Sequence, residues 1–335
     1  MIEPLMQGEP SMRGIIRCVG VFVFCLILFS TAVEAQQKLK IAVIPKSDDS
    51  FFWQAVHKGA QSCGEAIGGV AVVWMPPRVS QDVKQQIDLV DRCTQQGVGG
   101  IVLSPSDYAL LAAPVARAMK KGIPVVVIDS RLKGEPGKDY VSYVSTDSKN
   151  GGMLAGDEMA KMLDGKGKVV LLRYTVGQAN LTDREDGFIK ALEKHKDIQI
   201  ISKNRTDKPT AEDAQAAGQS MIDEIKTVDG VFCPNETATE GMLKVLQGAH
   251  LTGKIKFIGF DTSDLLVEAL KKGEIDALMA QDPTRMGYYG VKTIVDHIRG
   301  SKVQPVIDTG VRVVTKANID DPEIQKLIAM PSMMK

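Results

Sequence analysis

Residues 124–129 read Pro-Val-Val-Val-Ile-Asp, and residues 256–261 read Lys-Phe-Ile-Gly-Phe-Asp. Both are short apolar runs closed by an aspartate, Asp129 and Asp261. Neither alternates apolar with polar, so a strand formed here is buried on both faces, as in a parallel sheet covered by helices. A second pair of segments repeats in the same order, GGIVLSPSD from Gly99 and GVFCPNETA from Gly230. The chain therefore carries one β/α pattern twice.

Outward from these runs, the first half predicts strands at Lys38–Pro45, Val70–Met75, Gly100–Ser104 and Pro124–Asp129. Helices at Phe51–Ile67, Ser80–Gln96 and Leu111–Lys121 separate them. The second half predicts strands at Lys168–Tyr174, Ile198–Ser202, Gly230–Pro234 and Lys256–Asp261. Its helices fall at Thr182–His195, Thr210–Glu224 and Thr237–Ala249, with Thr210 and Asp213 set for a variant capping box. Right-handed βαβ crossovers then build two doubly wound α/β lobes. A further strand at Ile275–Ala280, a helix at Met286–Arg299 and a strand at Val311–Val314 follow when the second lobe is nearly complete. The chain is expected to cross between lobes at Ser145–Asp147, Gln281–Pro283 and Thr309–Val311, making a three-segment hinge. This gives an N-terminal lobe of 36–146 with 282–309 and a C-terminal lobe of 147–281 with 310–335.

The N-terminus reads as an address. Arg13 and Arg17 precede an apolar run from Cys18 to Ser30, and Thr31-Ala32-Val33-Glu34-Ala35 ends in small residues. That is the pattern of a secretory signal peptide, 1–35, cleaved after Ala35, with Met12 able to start a compact signal by itself. The alternative is an uncleaved anchor, but the run falls short of the roughly 20 apolar residues of a spanning helix.

Composition narrows the function. A length of 335 residues suits two domains, and 41 basic against 41 acidic residues removes the cationic excess a nucleic-acid binder needs. Cys63, Cys93 and Cys233 are widely spaced, with no C-x-x-C, so neither a disulfide scaffold nor a zinc framework is expected. A Cys63–Cys93 bridge is one option in an oxidising compartment, and buried free thiols are the default. The turn after the first strand, Pro45-Lys46-Ser47-Asp48-Asp49-Ser50, lacks the glycines of a phosphate loop. The four histidines are isolated, and no G-x-S-x-G elbow occurs. No cofactor is implied, and nothing recommends an enzyme.

In doubly wound sheets, ligands collect beyond the carboxyl ends of the strands. Those ends carry Lys46 and Asp49 with Phe51, Phe52 and Trp53; Ser104 to Asp107; Asp129, Ser130 and Arg131. In the second half they carry Gly177 to Asn180 leading to Arg184; Asn235 and Glu236; Asp261 and Thr262; Gln281 and Asp282. Planar polar groups engage neighbouring hydroxyls in pairs, and an aromatic face packs on the C–H patch of a sugar ring. Plainer roles compete. Adjacent Phe51 and Phe52 point about 100° apart, so one fills the core and the other faces the cleft, while Trp53 packs between helix and sheet. Asp129 and Asp261 are alternatively helix caps, and Arg184 with Glu185 a solvated pair.

The segments IAVIPKSDDSFFWQAVHKGA, GIVLSPSD, GIPVVVID, YVSTDSKNGGMLAGDEMA, DREDGF, GVFCPNETATEG, IGFDTSD and AQDPTRMG occur in the order that marks a known family. Over residues 37–318 the chain resembles the ribose-binding branch of the periplasmic sugar-binding proteins, related to the ligand-binding core of the lactose-repressor family. The resemblance implies a type I periplasmic binding fold and a monomeric, periplasmic solute-binding subunit of an ABC importer. Such a protein closes on a monosaccharide or polyol and presents it to the membrane permease. It puts stacking aromatics at Phe51 and Phe52 and polar ligand contacts at Asp129, Arg184, Asn235, Asp261 and Gln281. Lys46, Asp49 and Arg131 stand where the chain departs from the ribose binders: Ser130 displaces Arg131 by one position, Asp49 replaces an asparagine, and Lys46 resembles the Ile-Pro-Lys of rhamnose and autoinducer receptors. No second-lobe aromatic is found near Asp207. These departures favour a monosaccharide or polyol other than ribose. A sensor presenting its ligand to a chemoreceptor or membrane histidine kinase is the alternative. A repressor would need an N-terminal helix-turn-helix where this chain has the signal pattern.

Overall fold

The computed structural model describes residues 1–2, 38–173, 177–202 and 210–329. The signal peptide expected at 1–35 and the segment around Asp207 thus lie outside the described residues, apart from Met1 and Ile2.

The first sheet takes its strands from β1 (Leu39–Ile44), β2 (Val70–Trp74), β3 (Gly100–Leu103), β4 (Val125–Ile128), β5 (Ser142–Ser145) and β11 (Val306–Asp308), in the order β11-β5-β4-β3-β1-β2. Every pairing in it is parallel. The second sheet runs β12-β10-β9-β8-β6-β7. Its strands are β6 (Lys166–Leu171), β7 (Asp197–Ser202), β8 (Gly230–Phe232), β9 (Lys256–Phe260), β10 (Ala277–Gln281) and β12 (Val311–Thr315), of which β12 alone pairs antiparallel. Strands β3, β4 and β8 are buried along their whole length, as their unbroken apolar runs require.

Helices cover both sheets: α1 (Phe51–Ile67), α2 (Val83–Gln96), α3 (Ala112–Lys120), α4 (Ser148–Met162), α5 (Ala179–Leu192), α6 (Ala211–Ser220), α7 (Ile222–Ile225), α8 (Glu236–Gly248), α9 (Asp264–Lys272), α10 (Pro283–Ile298) and α11 (Pro322–Ile328). Helix α1 has the predicted limits. Helix α2 begins three residues later than expected, because the Asp82 carboxylate caps it by accepting from the Gln85 N–H at 2.9 Å. The expected helix at Thr210–Glu224 divides into α6 and α7, and Thr210 caps α6 in reciprocal bonds with Asp213.

The stretch after Tyr140 forms β5 and α4, which the apolar pattern did not predict, nor did it predict α9, β11 or α11. Helix α4 carries glycines at 151, 152 and 156, which blur its apolar stripe. Those glycines have a packing reason: a Cβ on Gly152 would sit 2.0 Å from the Arg184 carbonyl oxygen. Helices α4 and α5 therefore touch backbone to backbone. On the other lobe, a Cβ on Gly287 of α10 would sit 2.0 Å from the Val56 carbonyl of α1.

The chain leaves the first sheet after β5 to place α4 on α5, and returns after β10 to place α10 on α1. It leaves once more between β11 and β12. The strands of this hinge are cross-linked. Thr146 Oγ1 donates to the Gly310 carbonyl at 3.0 Å, and the Thr309 N–H donates to the Ser145 carbonyl at 3.0 Å. Cys63, Cys93 and Cys233 are all free and buried, so the Cys63–Cys93 bridge does not form.

Candidate ligand-binding site

One cleft gathers the strand ends of both sheets. Its lining includes Lys46, Asp49, Phe52, Trp53 and Asp129 from the first lobe, and Gln178, Asn180, Arg184, Asn235, Glu236, Asp261 and Gln281 from the second.

The two aspartates that end the repeated strands share a conformation. Asp129 has φ 59° and Asp261 has φ 67°, both in the left-handed region that non-glycine residues seldom adopt. Each donates its N–H to the next strand, to the Val144 carbonyl at 3.1 Å and the Met279 carbonyl at 2.9 Å. This backbone kink turns each carboxylate off the sheet and into the cleft. Neither caps the helix that follows it; Ser263 caps α9, accepting from Leu266 N–H.

Around Asp129 the polar groups interlock across the lobes. Lys46 Nζ lies 2.7 Å from Asp129 Oδ2, and Ser104 Oγ donates to the same oxygen at 3.0 Å. Asn180 Nδ2, from the second lobe, donates to Asp129 Oδ1 at 2.9 Å. Lys46 also donates to Gln178 Oε1 at 3.1 Å. Burial pulls the Lys46 ammonium below its ordinary value, with Asp129 opposing that shift.

Around Asp261, Gln281 Nε2 donates to Oδ1 at 2.5 Å and the Glu236 N–H to Oδ2 at 3.1 Å. Arg184 is 1% exposed. Its Nη1 donates to the Pro234 carbonyl at 2.9 Å and stands 3.7 Å from Asp261 Oδ2, with the guanidinium 3.9 Å from the Phe260 ring centroid. Glu185, read with it as a solvated pair, is buried and bonds Arg173 instead, at 2.6 Å. Burial pushes the Asp261 carboxyl up, with Arg184 and Gln281 opposing.

Eight of the ten residues chosen from sequence line this cleft: Lys46, Asp49, Phe52, Asp129, Arg184, Asn235, Asp261 and Gln281. The structure places the other two, Phe51 and Arg131, outside the lining. Phe51 is half-buried outside the lining, because Phe52 takes the cleft side of α1 and packs edge-to-face on Trp53 at 4.9 Å. Trp53, expected only between helix and sheet, also reaches the lining. Arg131 turns to the cleft rim, where it forks onto Asp183 at 2.8 and 3.0 Å. The inserted Ser130 is buried, and Arg131 is carried past the cleft. Gln178, Asn180 and Glu236 were legible as strand-end residues but not as lining. Their signal is weak because each sits in a loop or at a helix start where polar residues are ordinary.

The chain matches the family model described as "Periplasmic binding protein domain" over residues 41–302. It belongs to that family, whose members bind solutes rather than catalyse reactions. Among curated relatives it is 26% identical to ribose import binding protein RbsB of Haemophilus influenzae, covering 86% of this chain and 94% of that one. It is 25% identical to the D-allose-binding periplasmic protein of Escherichia coli over 84% and 90% of the two chains. Among solved structures, a carbohydrate transporter solute-binding protein from Agrobacterium radiobacter in complex with D-arabinose superposes with a TM-score of 0.82. Its identity is 32%, covering 89% of this chain and 100% of that one. An ABC transporter solute-binding protein from Agrobacterium vitis with bound D-fucose gives a TM-score of 0.83 at 32% identity, over 86% and 99%.

Proposed function

We propose that this protein is the solute-binding subunit of an ABC importer and takes a monosaccharide or related polyol between its lobes. The observation that carries this reading is a pair of buried polar atoms in the cleft with no protein partner, Arg184 Nε and Gln281 Oε1. One is a donor and the other an acceptor. A carboxylate or phosphate satisfies only the donor, whereas hydroxyl groups both accept and donate. Asp129 and Asp261 add acceptors for sugar hydroxyls, Lys46 adds a donor, and Phe52 offers an aromatic surface for the C–H face of a ring. Asp49 and Asn235 complete the polar contacts.

The lobes 36–146 with 282–309 and 147–281 with 310–335 move as units about the three crossings, and ligand bonds from both sides favour the closed form. The sheet membership of the strands on either side of each crossing supports this division. The mature protein, released by cleavage after Ala35, acts as a periplasmic monomer that presents its closed form to the permease and binds no nucleic acid.

A thermal-shift screen of the mature protein tests the ligand class, using D-ribose, D-allose, D-arabinose, D-fucose, D-tagatose, xylitol and myo-inositol. A binder held at 100 times its dissociation constant stabilises the protein by about 2.7 kcal/mol. A panel in which none of these sugars or polyols shifts the midpoint overturns the assignment.

A further inference from the structure

Helix α1 begins without a cap of its own. Ser50 occupies the N-cap position but makes no side-chain hydrogen bond to the helix, and the first turn holds no acidic residue. The first N–H groups of an α-helix have no partner within it, so this 17-residue helix needs acceptors from elsewhere. The partner comes from the other lobe. Glu236, the first residue of α8, accepts from the Phe51 N–H at Oε1 and from the Phe52 N–H at Oε2, each at 3.2 Å.

This contact spans the cleft, and it joins two parts of the binding site. The Glu236 N–H is itself held by Asp261 Oδ2, and Phe52, whose N–H is capped, lines the cleft. Glu236 is 7% exposed in this arrangement, withdrawn from water together with the N–H groups that it serves. When the lobes part, water replaces both partners of each bond.

We propose that Glu236 is a closure latch: its side chain supplies the missing cap of α1 from the opposite lobe and holds the two lobes together before any solute is bound. The inference deepens the solute-binding reading, since it needs the lobes to open and close. Its consequence is a ligand-free protein that already visits the closed form and, once loaded, releases its solute slowly. Affinity differences between related binding sites reside mostly in dissociation rates.

The test separates the latch from the identity of the solute. Spin labels at exposed Gln61 in α1 and Lys244 in α8 report the distance between lobes in the ligand-free protein by pulsed dipolar spectroscopy. The unsubstituted protein is expected to show a short-distance population that Glu236→Ala removes. Glu236→Asp, one methylene shorter, should lose it as well, because its carboxyl falls short of the Phe51 and Phe52 N–H groups. Urea unfolding of each variant checks that the lobes stay folded. In a second arm, whichever sugar of the panel above shifts the melting point is used in stopped-flow dissociation, where Glu236→Ala should release it about tenfold faster. Identical distance distributions in the Glu236→Ala variant and the unsubstituted protein overturn the latch. So does an unsubstituted protein found only at the long distance. A panel with no binder defeats the sugar reading while leaving the first arm decisive.

Discussion

Lys46 Nζ stands 2.7 Å from Asp129 Oδ2, with both side chains almost wholly withdrawn from solvent at 3% and 4% exposure. This buried pair sits at the mouth of the first sheet, where the ligand is expected. Taking two charges out of water is costly, and their attraction offsets that cost only while both are present. The pair therefore serves the site more than it serves stability.

The first prediction follows directly. Asp129→Leu leaves the Lys46 ammonium unpaired and should lower stability by about 3–5 kcal/mol in urea unfolding. The double variant Lys46→Met with Asp129→Leu should recover most of that loss, and both variants should lose all sugar-induced thermal shift. Equal stability of the two variants would show that the pair is not energetically coupled.

Arg131 and Arg184 should behave differently, because one lies at the rim and the other is buried in the cleft. The Arg131–Asp183 pair is at the rim, with side chains 46% and 24% exposed, where an ion pair is worth under about 1 kcal/mol. Arg131→Ala should weaken sugar binding less than about fivefold, and added salt should mask the effect. Arg184→Ala removes a buried charged donor and should weaken binding about a hundredfold. Calorimetric titration of both variants with the same sugar reads the contrast.

Closure should also depend on pH through Glu236. Burial, with Asp261 and Glu240 nearby, pushes its carboxyl up to about 8, although the Phe52 and Phe51 N–H groups pull the other way. In an open, hydrated cleft the same group returns to its ordinary value of 4.5. The closed form thus holds a proton that the open form lacks between these two values. Closing takes up a proton in that window, so closed-form stability is full below 4.5 and is lost as pH rises toward 8. Sugar affinity should tighten from pH 8 to pH 5, and Glu236→Gln should flatten that slope. A slope of opposite sign in the unsubstituted protein would refute the assignment.

Packing under the site can be tested from behind. Gly152→Ala drives a methyl into the Arg184 carbonyl, which is backbone and cannot yield without moving α5. The substitution should cost about 1–3 kcal/mol, as overpacking does, and weaken sugar binding by displacing the Arg184 side chain. Unfolding in urea and calorimetric titration measure the two effects. Unchanged binding in a destabilised variant would show that Arg184 is positioned by something other than α4.

Much of this architecture can be read from the chain before any coordinates. The apolar runs ending in Asp129 and Asp261 determine two sheets with parallel central strands, because strands without polar alternation must be covered on both faces. Their duplication also points to both aspartates as cleft residues. The elements β5 and α4 escape such a reading, since α4 spends its glycines on contact with α5 rather than on an apolar stripe.

Only the tertiary structure decides which neighbours share the cleft. Phe51 or Phe52: the choice turns on the rotation of α1, which apolar spacing does not record. The Ser130 insertion is visible in the sequence without showing that Arg131 reaches the rim. Glu236 shows the same limit, since a glutamate at a helix start is unremarkable in sequence. Its meaning arises when the first lobe, folded from residues nearly two hundred positions away, presents an uncapped helix to it. Periodicity records what a segment buries against its own sheet; contacts between lobes depend on how two finished sheets come together.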